Sequence, residues 1–178
     1  MFKEDDGVKI GVVLGSDSDL KVVEKAFAIW DDLEIPYEVD IISAHRSPEL
    51  AAEYGTTAIE RGINVIVAAA GLAAHLPGVL AAYTVLPVIG LPIAAGPLQG
   101  TDALYSIVQM PPGIPVATVG IDNASNAAYL AAQILAVNNQ DLSDKLSRYR
   151  QTLRGKITTK NAALRERGLA GFVGANRC

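Results

Sequence analysis

The sequence predicts a doubly wound α/β domain built on a five-stranded parallel sheet in the order 2-1-3-4-5. Two observations carry this. Short β-branched runs alternate with longer segments of helical periodicity, and the strand runs at Val8–Leu14, Asn64–Ala69 and Val88–Ile93 are apolar on both faces. Strands buried on both faces belong to parallel sheets covered by helices. The order follows because right-handed crossovers must place helices on both faces of the sheet.

The first strand, Val8–Leu14 (VKIGVVL), ends in Gly15-Ser16-Asp17-Ser18-Asp19, and a helix follows to about Leu33. Val23, Phe27 and Trp30 at i, i+4 and i+7 give that helix one apolar stripe. Tyr37–Ile42 is the second strand, closed by Ser43-Ala44-His45-Arg46. Ser47 then reads as the cap of a helix with Pro48 at its first position and Glu49 in its first turn. The third strand, Asn64–Ala69, runs into a loop of small residues that ends in His75-Leu76-Pro77-Gly78. The fourth strand, Val88–Ile93, is followed by a Gly/Pro loop and a helix over Asp102–Gln109. The fifth, Val116–Ile121, is followed by a helix over Asn126–Val137. The remainder from Asp141 to about Gly168 has helical composition and eight Lys/Arg residues, and reads as an arm able to pack on a neighbour. All 178 residues are expected to form a single domain, with residues 8–137 as the α/β core and 141–168 as a C-terminal helical arm.

Composition narrows the function. A chain of 178 residues should bury about 70% of the surface its unfolded form exposes, so it needs no covalent staples. Cys178 is the only cysteine, which rules out an intramolecular disulfide and thiolate zinc sites and points to a reducing, cytoplasmic setting. The start carries charge where a secretion signal needs an apolar run, and no apolar stretch is long enough for a membrane span. A net charge of −4 argues against general nucleic-acid binding. From Gly62 to Asp144 there is no Lys or Arg, and the only acidic residues are Asp102, Asp122, Asp141 and Asp144. So few charges supply poor solvated faces for a monomer, so a homo-oligomer is expected, with a very apolar core as the alternative.

In an open parallel sheet, ligands bind beyond the carboxyl ends of the strands where the order reverses. Here that places the loops after strands one, two and three together, and these loops hold both histidines. In the first loop, Gly15 is read as permitting a tight turn, while hydroxyls and amides at the helix start suit an anion. The alternative for this loop is a plain helix cap by Ser or Asp. Asp19 suits sugar hydroxyls better than phosphate, because a carboxylate only accepts hydrogen bonds. In the second loop, Arg46 is a donor fork for phosphate, and His45 can give or take a proton near neutral pH. In the third, small residues let backbone approach a ligand closely, and a pocket poor in water suits carbon dioxide chemistry. His75 lies there, with a helix cap or a subunit contact as its alternative roles. A phosphoacceptor module of similar architecture is disfavoured, because no lysine follows a later strand to complete a site around Asp17 and Asp19.

Taken together, GSDSD (15–19), SAHRSP (43–48), AAGLAAHLPG (69–78), LPVIGLPI (86–93), GTDALYSIVQMPPGIPVATV (100–119) and NAAYLAAQIL (126–135) resemble the class I N5-carboxyaminoimidazole ribonucleotide mutases of purine biosynthesis. The resemblance covers roughly residues 8 to 137. It implies a flavodoxin-like three-layer αβα domain, an octamer, and neither metal nor organic cofactor. It also implies conversion of N5-carboxyaminoimidazole ribonucleotide to 4-carboxy-5-aminoimidazole ribonucleotide, with carbon dioxide passing from N5 to C4. The family's catalytic histidine falls on His45 and its nucleotide-binding residues on Ser16, Asp19 and Arg46. Ser18 and Ser43 are neighbours of that site, and Gly71, Ala74 and His75 are its further substrate contacts. The rival within the same fold is a class II aminoimidazole ribonucleotide carboxylase that uses free carbon dioxide. The chain departs from the pattern at Leu72, where a second glycine is usual, and at Ala103, where serine is usual. It is also shorter across Ile121–Ser125 than many members.

Overall fold

The computed structural model describes residues 9–175, so Val8 at the expected start of the first strand and Cys178 lie outside the described residues. The strands are β1 (Lys9–Leu14), β2 (Tyr37–Ile41), β3 (Ile63–Gly71), β4 (Val88–Ile93) and β5 (Ala117–Thr118). The helices are α1 (Leu20–Leu33), α2 (Pro48–Thr57), α3 (Leu76–Tyr83), α4 (Thr101–Val108), α5 (Ala124–Ala136) and α6 (Gln140–Ala175). The sheet runs β2-β1-β3-β4-β5 with every pairing parallel. This is the predicted order.

Side-chain alternation along each strand feeds two separate cores. Val13, Ile66, Ala68, Ala70 and Val88 pack with Ala51, Tyr54 and Ala58 of α2, Leu76 and Leu80 of α3, and Ala103 and Ile107 of α4. Across the sheet, α1 and α5 pack on each other. Val23, Ala26 and Trp30 are fully buried there, and the indole N–H of Trp30 donates to the carbonyl oxygen of Ala128 at 3.2 Å. Alanines at 127, 128, 131 and 132 are fully buried too, and their small size lets α5 come close to its neighbours.

Three local readings are corrected. The fifth strand was expected over Val116–Ile121 but forms a ladder only at Ala117–Thr118. The chain still follows β4, through Val119 N–H to the Gly90 oxygen (3.1 Å) and Asp122 N–H to the Pro92 oxygen (2.9 Å). As an edge strand with one neighbour, β5 has no second ladder to regularise it. The fifth helix starts earlier than expected, because the side chain of Asn123 accepts from the Asn126 amide at 3.1 Å and caps it. Ser47 does occupy the N-cap of α2, with Pro48 at its start, but its hydroxyl makes no cap bond. Instead it donates to the Ser43 carbonyl at 3.0 Å and accepts from the Ser43 amide at 3.2 Å. The serine closes the preceding turn rather than the helix.

The chain divides into two compact units, Met1–Asn138 and Asn139–Cys178. Within the second, α6 is helical apart from Gly168, whose φ of 66° and ψ of 172° lie outside helical geometry. No helix among the described residues is long and apolar enough to cross a membrane.

Candidate active site

Because β2 and β3 flank β1, the loops that leave them stand on either side of the loop after β1. Each of the three is built differently.

After β1, Ser16 and Asp19 form a capping box around a 3-10 turn (Asp17–Asp19). The Ser16 hydroxyl accepts from the Ser18 amide, and the Asp19 carboxylate accepts from the Ser16 amide at 3.1 Å. The Ser18 hydroxyl donates to Ser16 Oγ at 2.9 Å and also lies 3.3 Å from Asp19 Oδ1. The plain-cap alternative therefore describes part of what this loop does. Gly15 is not needed for a special turn, since it lies outside the positive-φ glycines and an added Cβ would meet only ordinary contacts near 3.5 Å.

Asp19 is only 5% exposed and, among the described residues, is the one charged residue in the buried core. Burial pushes its carboxyl above the ordinary carboxylate range, and the Ser18 hydroxyl and Ser16 amide pull it back in part. The folded chain then holds this proton to higher pH than the unfolded chain. The group's contribution to stability is complete below its ordinary value of 3.8 and is lost as pH rises through the raised value. An Asp19→Asn chain keeps an amide oxygen for the Ser16 N–H and no longer buries a charge. Its melting midpoint should stay within about 4 °C of the parent, given a cap worth roughly 1 kcal/mol offset by the relieved burial. If Asp19 also accepts from a sugar, KM should rise about tenfold. An unchanged KM would confine Asp19 to the capping box.

After β2, the Ser43–Ser47 turn fixes Arg46. Ser43 Oγ accepts from the Arg46 backbone amide at 3.2 Å and from its Nε at 3.3 Å. The guanidinium is held at Nε, and among the described residues no carboxylate pairs with it. Arg46 is also the only Lys or Arg in the three loops. It is exposed, as is His45 beside it.

After β3, the chain passes Gly71, whose own Cβ would stand 3.2 Å from Ala95 Cβ and 3.2 Å from the Ile93 oxygen. Its lack of a side chain is what lets the loop after β4 lie against it. Ala74 is buried, and two tight bonds shape the turn, Ala74 N–H to the Leu72 oxygen (2.9 Å) and His75 N–H to the Ala73 oxygen (2.8 Å). His75 occupies the N-cap of α3 without a side-chain cap bond. That sets aside its expected alternative as a helix cap and leaves its ring for other work.

The ring of His75 meets His45. His45 Nε2 and His75 Nδ1 are 2.8 Å apart, and the two rings stand edge to face. Sequence reasoning named both histidines but not their contact. The only signal available was that their loops flank the same strand end. It also missed the role of Ser47 in bracing the turn that carries His45. The geometry therefore pairs His45 with His75 and Arg46 with Ser43, His45 and Arg46 being neighbours in one turn, with Ser16, Ser18 and Asp19 as a separate hydrogen-bonded loop at the end of the strand between. Among the described residues no group of three or more His, Cys, Asp or Glu side chains is arranged to hold a metal ion.

Such a crevice can anchor an anion through Arg46, accept hydrogen bonds from hydroxyls through the first loop, and exchange a proton at an imidazole. Comparison with known proteins finds relatives over most of the chain. The AIR carboxylase family model matches residues 9–156. A curated relative from Pyrococcus abyssi, an N5-carboxyaminoimidazole ribonucleotide mutase, is 58% identical over 146 residues, which are 82% of this chain and 84% of that one. A phosphoribosylaminoimidazole carboxylase from Candida glabrata is 46% identical over 92% of this chain, which corresponds to 29% of that longer protein. The crystal structure of Treponema denticola PurE superposes with a TM-score of 0.78 at 28% identity, covering 88% of this chain and 98% of that one. The family match spans the whole sheet and all three loops of the crevice, and on that ground the chain belongs to the AIR carboxylase family.

Proposed function

We propose that this protein is a cytoplasmic enzyme of purine biosynthesis that converts N5-carboxyaminoimidazole ribonucleotide to 4-carboxy-5-aminoimidazole ribonucleotide. The observation that carries the reading is the 2.8 Å contact between His45 and His75, which ties a proton-handling imidazole to the small-residue loop after β3. Arg46 takes the phosphate, and Ser16, Ser18 and Asp19 take the ribose, with Ser43 steadying the arginine. Gly71 and Ala74 give the base and the carbon dioxide room against backbone.

The proton balance suits one imidazole. When the N–carboxyl bond breaks, the nitrogen takes up a proton and carbon dioxide is freed. When C4 attacks that carbon dioxide, the C4 proton must leave. His45 can give the first proton and recover the second, so the enzyme ends as it began. The contact with His75 engages Nε2 of His45, which leaves Nδ1 as the ring nitrogen for proton exchange with the substrate in this reading. Holding ring and carbon dioxide together replaces a bimolecular encounter with one inside the site. No step here calls for a metal or an organic cofactor.

A second reading is direct carboxylation of aminoimidazole ribonucleotide with free carbon dioxide, favoured by the carboxylase relative. Offering each substrate separately and following the 4-carboxy product by ultraviolet absorbance separates them. Turnover with the N-carboxylated substrate is expected. Turnover only with aminoimidazole ribonucleotide and bicarbonate would replace the mutase reading by the carboxylase one.

The same reading includes a homo-oligomer, an octamer by family resemblance. Its support is the stretch from Gly62 to Asp144 without Lys or Arg, on which Tyr83, Val85, Leu98, Tyr105 and Val108 are exposed. Light scattering at micromolar concentration should give a mass several times that of the chain, and a monomer would contradict this.

A further inference from the structure

Leu72 breaks a rule of backbone geometry without an evident return in folding. Its φ is 55°, in the left-handed region that strains an L-residue and costs a glycine nothing. A fully buried leucine offsets such strain with the apolar surface it removes from water, but half of Leu72 is exposed (50%). In the run Ala68-Ala69-Ala70-Gly71-Leu72-Ala73-Ala74-His75 it is the one large apolar side chain.

Its placement is specific. The Leu72 carbonyl accepts from the Ala74 amide at 2.9 Å, within the turn that delivers His75. Its side chain crosses to the loop after β4, where a Cβ on Gly96 would stand 2.7 Å from Leu72 Cδ2. Gly96 is itself left-handed, with φ of 62°. The missing side chain at 96 makes the space that the leucine uses, so a strained leucine and a left-handed glycine form a matched pair across two loops.

We propose that Leu72 is the apolar cover that retains freed carbon dioxide at the reacting centre, a specificity-determining residue that favours transfer over escape. The proposal rests on the mutase reading. Between cleavage of the N–carboxyl bond and attack by C4, carbon dioxide is a small neutral molecule with no hydrogen-bond donor. Its oxygens are weak acceptors, so an apolar wall that closes its way out and keeps water away is an effective means of retaining it. The alanines and Gly71 around Leu72 have too little side chain to offer such a wall.

The test feeds N5-carboxyaminoimidazole ribonucleotide to the parent, Leu72→Ala and Leu72→Gly enzymes in isotopically labelled bicarbonate, and measures label in the 4-carboxy product by mass spectrometry. The parent should keep its original carbon dioxide. Both variants should admit label about tenfold more, with KM changed by less than about threefold, because they remove the cover and not the ligand anchors. The pair also separates cover from strain, since alanine keeps the strained backbone and glycine relaxes it. Leu72→Gly should melt higher than Leu72→Ala, with equal label in both. Label at the parent level in Leu72→Ala would overturn the proposal. So would a drop in assembly mass with unchanged label, which would make Leu72 a subunit contact. A parent that makes no 4-carboxy product from this substrate would remove the mutase reading and the cover with it, whereas normal parent turnover beside unlabelled variants would remove only the cover.

Discussion

Replacing His45 by asparagine is expected to lower turnover by about 10²–10⁴-fold, the usual contribution of a positioned acid–base group. Asparagine is polar, close in size and cannot titrate, so the change isolates proton handling from packing. His45 is exposed, and the turn that carries it is held by Ser43 and Ser47 rather than by its ring. The fold and the ligand anchors should therefore survive, and ligand binding should stay within about tenfold of the parent because the phosphate contact is untouched. The loss should fall on kcat. Steady-state kinetics beside a direct binding measurement would show this, and a variant with a normal rate would remove His45 from the chemistry.

Replacing Arg46 by alanine is expected to act on binding instead. A charge-assisted contact to phosphate is worth about 1.5–3 kcal/mol, so KM should rise by roughly 10–150-fold while kcat changes little. Arg46→Lys should recover only part of this, since lysine keeps the charge but loses both the planar fork and the Nε that Ser43 holds. Unchanged saturation in the alanine variant would mean that the phosphate is bound elsewhere.

Much of the fold was legible because strands buried on both faces leave an unmistakable run of apolar residues. Val88–Ile93 is found where the pattern puts it, and the third strand extends the expected Asn64–Ala69 by a residue or two at each end. The fifth strand was overextended because alternation does not report how many neighbours a strand has. Asn123 was passed over as a cap because the helical period starts only later. The site was legible as residue types on the right loops, since topology alone brings the loops after β1, β2 and β3 together. What was not legible is contact. Nothing in residues 43–47 and 69–78 states that two histidines 30 positions apart meet at 2.8 Å. Nor does a leucine in the sequence announce a left-handed backbone at 72. That angle accompanies the turn to His75 and the approach of the loop after β4, which are tertiary facts.

Proton exchange at C4 requires that the aminoimidazole ring lie over His45 with its sugar-phosphate held by the loops after β1 and β2. A crystal grown with the ribonucleotide and diffracted to high resolution measures this directly. It should place C4 of the ring within about 3.5 Å of a His45 ring nitrogen, the separation a reacting pair needs, with the phosphate on Arg46. A ribonucleotide bound with its base in solvent, far from His45, would contradict the account at its centre.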